Sequence, residues 1–173
     1  MHTLFLVFSL TMRDAAQPQY WAIAMDHVRE VVQNPRIYPL PRVPDFIAGC
    51  LWYRGRILTV CHLPRLLIGD RWKSPAESVY YVVVLDRIHV PLALWVGENV
   101  QSLTMDEWTP MDMRGFEHPL VTSIFRWQQH TPVYHIGIPE LIAYLDHAMI
   151  QHAQTFHRVR PGESSGSSPG TPG

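Results

Sequence analysis

Phe46-Ile47-Ala48-Gly49-Cys50-Leu51-Trp52-Tyr53-Arg54-Gly55-Arg56-Ile57-Leu58-Thr59-Val60-Cys61-His62-Leu63 reads as two apolar strands around Arg54-Gly55-Arg56. Branched and aromatic residues favour extended backbone, and the glycine can supply the turn, so the stretch is a β-hairpin. Upstream, four prolines between Pro35 and Pro44 forbid a regular helix and favour an extended connector. Pro41-Arg42-Val43-Pro44 formally matches a polyproline ligand, but it joins two strands of one domain and reads as a connector. Asp26 to Val32 suits either a helical face or a strand, and local pattern leaves it open. Leu4 to Leu10 and Tyr20 to Met25 read as strands of another hairpin.

Downstream, Pro64 to Ile68 reads as a short helical turn stopped by Gly69, followed by a polar loop from Asp70 to Ser78. Val79 to Leu85 is an unbroken apolar run of strand length, with Val90 to Val96 as its partner across Asp86-Arg87. Periodicity fades from Gln101 to Phe116, which reads as a connecting stretch. Leu120 to Trp127 and Val133 to Ile138 give two more strands. Pro139 fits the first position of a helix in which Leu141, Ile142, Leu145, Ala148 and Met149 form one face packed on the barrel. From Arg160 onward the composition has too little apolar surface to offset chain entropy, so a disordered tail is expected.

With 47% hydrophobic and 17% charged residues in a 173-residue chain, one sizeable core is available. A net charge of −1 without a basic block disfavours nucleic acid as a partner. Two cysteines, Cys50 and Cys61, are too few for a disulfide framework and fit a reducing, cytoplasmic setting. The opening Leu4 to Phe8 reads as a strand and not as a secretory segment, since Met1-His2-Thr3 carries no Lys or Arg. No apolar stretch approaches the roughly 18 residues of a membrane span.

Ten histidines invite a metal reading, yet no His-Glu-x-x-His or Cys-x-x-Cys occurs. His147, His152 and His157 recur every five residues, which on a helix turns each about 140° from the last, so they cannot meet on one ion. Cys61 and His62 are neighbours on a strand and should point to opposite faces, which disfavours a nucleophile pair. Phosphate-binding glycine loops are absent; no metal or cofactor is expected. Trp52-Tyr53-Arg54-Gly55-Arg56 combines aromatics with arginines, so a single-stranded nucleic-acid-binding β-barrel stands as an alternative.

Phe46-Ile47-Ala48-Gly49, Tyr53-Arg54-Gly55-Arg56-Ile57 and Cys61-His62-Leu63 resemble the CheW family of bacterial chemotaxis coupling proteins. The resemblance extends over about residues 3 to 150. It takes in Leu4 to Leu10 as the first strand, Val28 to Val32 as the receptor-facing segment, Val90 to Val100 as a later strand and turn, and Pro139 to Leu145 as the closing helix. It implies a mainly β fold of two intertwined, five-stranded SH3-like barrels with a short C-terminal helix, and it makes Val28 to Val32 a strand. The domain would span 1–152, with the helix end and tail in 153–173.

The resemblance further implies a non-catalytic scaffold. It would bind the cytoplasmic tip of methyl-accepting chemoreceptors and the regulatory domain of a CheA-type histidine kinase, at receptor arrays on the inner face of the membrane. The protein-binding residues it implies are Val28, Glu30, Gly49, Arg54 and Gly55, with Val28 and Glu30 toward the receptor and Arg54-Gly55 matching the family's central hairpin. An arginine beside a hairpin glycine can offer a fork of donors to a carboxylate or carbonyl; alternatively Arg54 braces the two lobes. The sequence departs from the family pattern at Trp52-Tyr53, Thr59, His62 and Gly97 to Val100. The bulky Trp-Tyr pair suggests a specialised receptor or kinase, such as one serving type IV pilus motility, or a solitary adaptor without kinase contact.

Overall fold

The computed structural model describes residues 3–74, 79–97, 99–104, 108–128 and 130–158. Strands β1 (Leu4–Leu10) and β2 (Gln19–Ala24) pair antiparallel as the first hairpin, from Phe5 opposite Ala24 to Leu10 opposite Gln19. The ambiguous segment that follows is a 3₁₀ turn over Met25–His27 and then strand β3 (Val28–Gln33). The proline connector holds a two-residue strand, β4 (Ile37–Tyr38), which pairs with β5 (Ile47–Tyr53) of the central hairpin of β5 and β6 (Arg56–His62). Helix α1 (Leu63–Ile68) follows, with Pro64 in its first turn and Gly69 ending it at φ +58°. Strands β7 (Tyr81–Leu85) and β8 (Leu92–Gly97) form the third hairpin, joined by a longer loop than Asp86-Arg87 alone.

The stretch after Gln101 differs from the connecting segment expected. Val100–Thr104 is strand β9, paired along β1, and Thr109–Pro110 is a short strand β10. Val100, Gln101, Ser102, Leu103 and Thr104 are all half-buried or exposed, so this edge strand carries none of the apolar run that marks strands buried on both faces. Strands β11 (Val121–Trp127) and β12 (Thr131–Ile136) and helix α2 (Ile138–Arg158) are the last elements of the described residues. The helix is 21 residues long and not short, and the expected apolar face is only partly covered. Leu141, Ile142 and Leu145 are buried, Ala148 is half-buried, and Met149 is exposed, so the helix outruns the barrel after its second turn. The tail from Arg160 lies outside the described residues.

The strands form two sheets of one plan, ordered β10-β11-β12-β2-β1-β9 and β3-β7-β8-β6-β5-β4. Each has five strands of five to seven residues and one of two, and the central pair of each, β12 with β2 and β6 with β8, is parallel while its other pairs are antiparallel. The chain begins in the first sheet, builds the second and returns, so the two subdomains are intertwined.

Side-chain alternation explains why several strands are apolar throughout. Phe5 and Val7 of β1 point into one barrel with Ala22, Trp108, Phe125 and Val133, whereas Leu6, Phe8 and Leu10 point into a core shared by both sheets. On β7, Val83 and Leu85 likewise join the shared core, and Val82 and Val84 fill the second barrel with Leu51, Leu58, Val60 and Ala93. A strand buried on both faces needs an unbroken hydrophobic run.

Candidate functional site

Only two residues, Arg54 and Gly55, separate Tyr53 from its cross-strand partner Arg56. Both turn residues have positive φ, +47° and +79°, as the type I′ turn of a two-residue hairpin requires. Glycine adopts this backbone freely, but an arginine there is strained by about 1 kcal/mol. The turn holds the Arg54 side chain over the mouth of the second barrel, where Nη2 donates to Glu30 Oε2 at 2.9 Å. The Tyr53 hydroxyl donates to the same carboxylate oxygen. That hydrogen bond pushes the Tyr53 phenol above its usual range.

These contacts show how far the sheet rolls. Three strands lie between β3 and β5, so a flat sheet would put Glu30 and Tyr53 about 19 Å apart. Closure into a barrel brings them into contact. A β-bulge at Arg29 sets the phase: Val28 pairs with Leu85 and Glu30 with the adjacent Val84. Arg29 and Glu30 therefore both reach the barrel mouth, where Arg29 donates to Asp86 Oδ1 at 2.6 Å. That contact holds the Asp86 carboxyl below the usual carboxylate range.

Among the residues expected to bind partners, the structure brings Glu30, Arg54 and Gly55 together. Val28, two residues from Glu30, packs instead against the shared core because the bulge interrupts alternation. Gly49 is buried at φ +143°, and a Cβ there would lie 2.1 Å from the Tyr38 carbonyl oxygen, so its place is to let β4 lie against β5. Arg29 and Asp86 join the site through the pairing of β3 with β7, while barrel closure brings Tyr53 and Arg54 to Glu30; no local sequence pattern marks either contact.

The hairpin's other face is apolar and open. Trp52 and Ile57 sit directly opposite one another and are 63% and 61% exposed. Tyr38, on the neighbouring β4 opposite Cys50, is 44% exposed. Of the Trp52-Tyr53 pair by which the sequence departs from its family pattern, only Trp52 faces solvent; Tyr53 turns to the barrel mouth and Glu30.

The remaining candidates have structural places. Cys61 is fully buried, which pushes its thiol up to about 12 and leaves it un-ionised. His62 points elsewhere, stacking on Trp95 at 4.3 Å and meeting Trp72 edge-on at 4.7 Å, with Nδ1 accepting the Arg65 backbone N–H at 3.2 Å. Among the described residues no three His, Cys, Asp or Glu side chains are placed to hold a metal ion, and no helix is long and apolar enough to cross a membrane.

The family model for the CheW-like domain matches residues 9–145. Among solved structures, the fold is similar to the scaffolding protein TtCheW from Thermoanaerobacter tengcongensis, with a TM-score of 0.60 at 16% identity over 80% of this chain and 90% of that one. No curated protein matches.

Proposed function

The chain belongs to the family of CheW-like domains, and from that premise we propose that it is a non-catalytic scaffold coupling methyl-accepting chemoreceptors to a CheA-type histidine kinase. The receptor would contribute its cytoplasmic tip and the kinase its regulatory domain, in chemotaxis or pilus-motility signalling. The observation that carries this reading is the β5–β6 hairpin: an exposed Trp52–Ile57 pair on one face, and Arg54 fixed beside Glu30 at the tip. Exposed tryptophan and a positioned arginine are the residue types that dominate protein interfaces, whereas scattered surface aliphatics are not.

Arg54 uses one nitrogen on Glu30 and its side chain remains 70% exposed, so most of its donors are free for a partner carboxylate or carbonyl. Exposed ion pairs contribute about 0–1 kcal/mol, too little for Arg54 to act chiefly as a brace between lobes. Glu30 orients the guanidinium, and Gly55 gives the turn its shape.

Binding of the purified chain to a receptor cytoplasmic fragment and to a kinase regulatory domain, separately and together, tests the proposal. A ternary complex that raises kinase activity in the presence of receptor is expected. Binding to the receptor alone would reduce the protein to a solitary adaptor, and binding to neither would overturn the reading.

A further inference from the structure

Beside the Glu30 contact lies a recess of about 180 Å³ at the mouth of the second barrel. Its floor includes the aliphatic side chains of Leu58 and Val84, and four arginines line it: Arg29, Arg54, Arg56 and Arg87. Asp86 pairs with Arg29, and Glu30 pairs with Arg54. Among the described residues, the side chains of Arg56 and Arg87 have no ion pair, so the recess carries an excess of two positive charges on a chain of net charge −1.

We propose that this recess is a docking site for an acidic protein segment, with an apolar residue entering the barrel mouth and flanking carboxylates paired to Arg56 and Arg87. The proposal rests on the scaffold reading only in making the occupant a protein, and it names the chemistry that the occupant must carry. Guanidinium groups match carboxylates with two parallel hydrogen bonds, and the aliphatic residues of the lining offer an anchor side chain apolar contact. A free phosphate ion has nothing to place on that floor. Single-stranded nucleic acid needs aromatics and cations along one track, but Trp52 faces away from the recess and Tyr53 is bonded to Glu30.

Fluorescence anisotropy with a labelled Glu-Glu-Leu-Glu-Glu peptide tests this on the full chain. Binding at 50 mM salt should weaken roughly tenfold at 300 mM, because exposed charges are screened within a shorter distance. Arg56→Glu and Arg87→Glu should each weaken binding about tenfold or more without lowering the melting temperature, as neither side chain makes an ion pair in the fold. Replacing the peptide's leucine with glycine should also weaken binding, and a Lys-Lys-Leu-Lys-Lys peptide should not bind. Absence of binding at 50 mM salt, equal binding by wild type and both reversals, or tighter binding of a single-stranded oligonucleotide would each overturn the inference. Receptor and kinase binding by the same variants keeps the two readings apart. Peptide binding in a chain that takes neither partner would refute the scaffold reading alone, while a chain that takes both partners and does not bind the acidic peptide would refute this inference alone.

Discussion

Arg54 occupies a backbone conformation that glycine would adopt more readily, and the excess cost is about 1 kcal/mol, comparable to or larger than its exposed ion pair with Glu30. Arg54→Gly should therefore be about 0.5–1 kcal/mol more stable than Arg54→Ala, since only glycine relieves the strain. Both should weaken receptor binding by roughly five- to a hundredfold, the effect of losing a charge-assisted hydrogen bond. Urea midpoints for the two variants, measured with their receptor affinities, check this; equal stabilities would mean that the turn is not strained. His62 makes a different prediction. Burial pushes its pKa down from 6.5 to about 4, and its Nδ1 must stay unprotonated to accept the Arg65 N–H. The unfolded chain thus binds the proton more readily. Stability should be complete above about pH 6.5 and fall as pH drops toward 4, by roughly 2 kcal/mol after allowance for the ring's partial exposure. His62→Asn, which can cap but does not titrate, should flatten the slope of unfolding midpoint against pH between 4 and 7. A residual slope of the same sign should remain from His135, whose pKa burial also lowers.

The β5–β6 hairpin is held from outside by β4, and Gly49 is the residue that permits the approach. Gly49→Ala would place a methyl group 2.1 Å from backbone at Tyr38, which cannot yield as a flexible side chain could. The expected loss is at least about 2 kcal/mol. A stability loss smaller than about 0.5 kcal/mol would show that β4 is free to move away. Helix α2 is anchored by its first two turns: Leu141 is wholly buried in the shared core, while Ile150 is 58% exposed. Leu141→Ala should cost about 2–5 kcal/mol, and Ile150→Ala should leave the unfolding midpoint nearly unchanged. Comparable losses at both positions would show that the distal turns pack as firmly as the first.

Among the described residues, three hydrophobic clusters connect the two barrels into one body, because β1 contributes Phe5 and Val7 to one and Leu6, Phe8 and Leu10 to another. Strand β7 does the same between the shared core and the second barrel. Neither barrel can lose its strands without exposing the core of its neighbour, so unfolding should be a single cooperative transition. Tryptophan fluorescence and far-ultraviolet circular dichroism should report coincident midpoints. Two separated transitions would mean that the shared core is too weak to couple the barrels.

Residue order by itself determined most of the elements. Strand-length apolar runs, the glycine turn at Gly55, the proline connector and the helix start at Pro139 are local signals, and local physics suffices to read them. The first strand, the central hairpin and the closing helix were legible for that reason, and the motifs around Arg54 were enough to resemble the family. Strand β9 was not, because an edge strand of half-exposed residues lacks a hydrophobic signature. The site was only half legible: Glu30 and Arg54 were named, but their contact was not. Tertiary structure alone decided that contact, the central parallel pairs, the exposure of Trp52 with Ile57, and the turning of Val28 away from Glu30. Each depends on how a sheet closes or where a bulge shifts alternation, and both are set by pairing between strands distant in sequence, which no local pattern of side chains encodes.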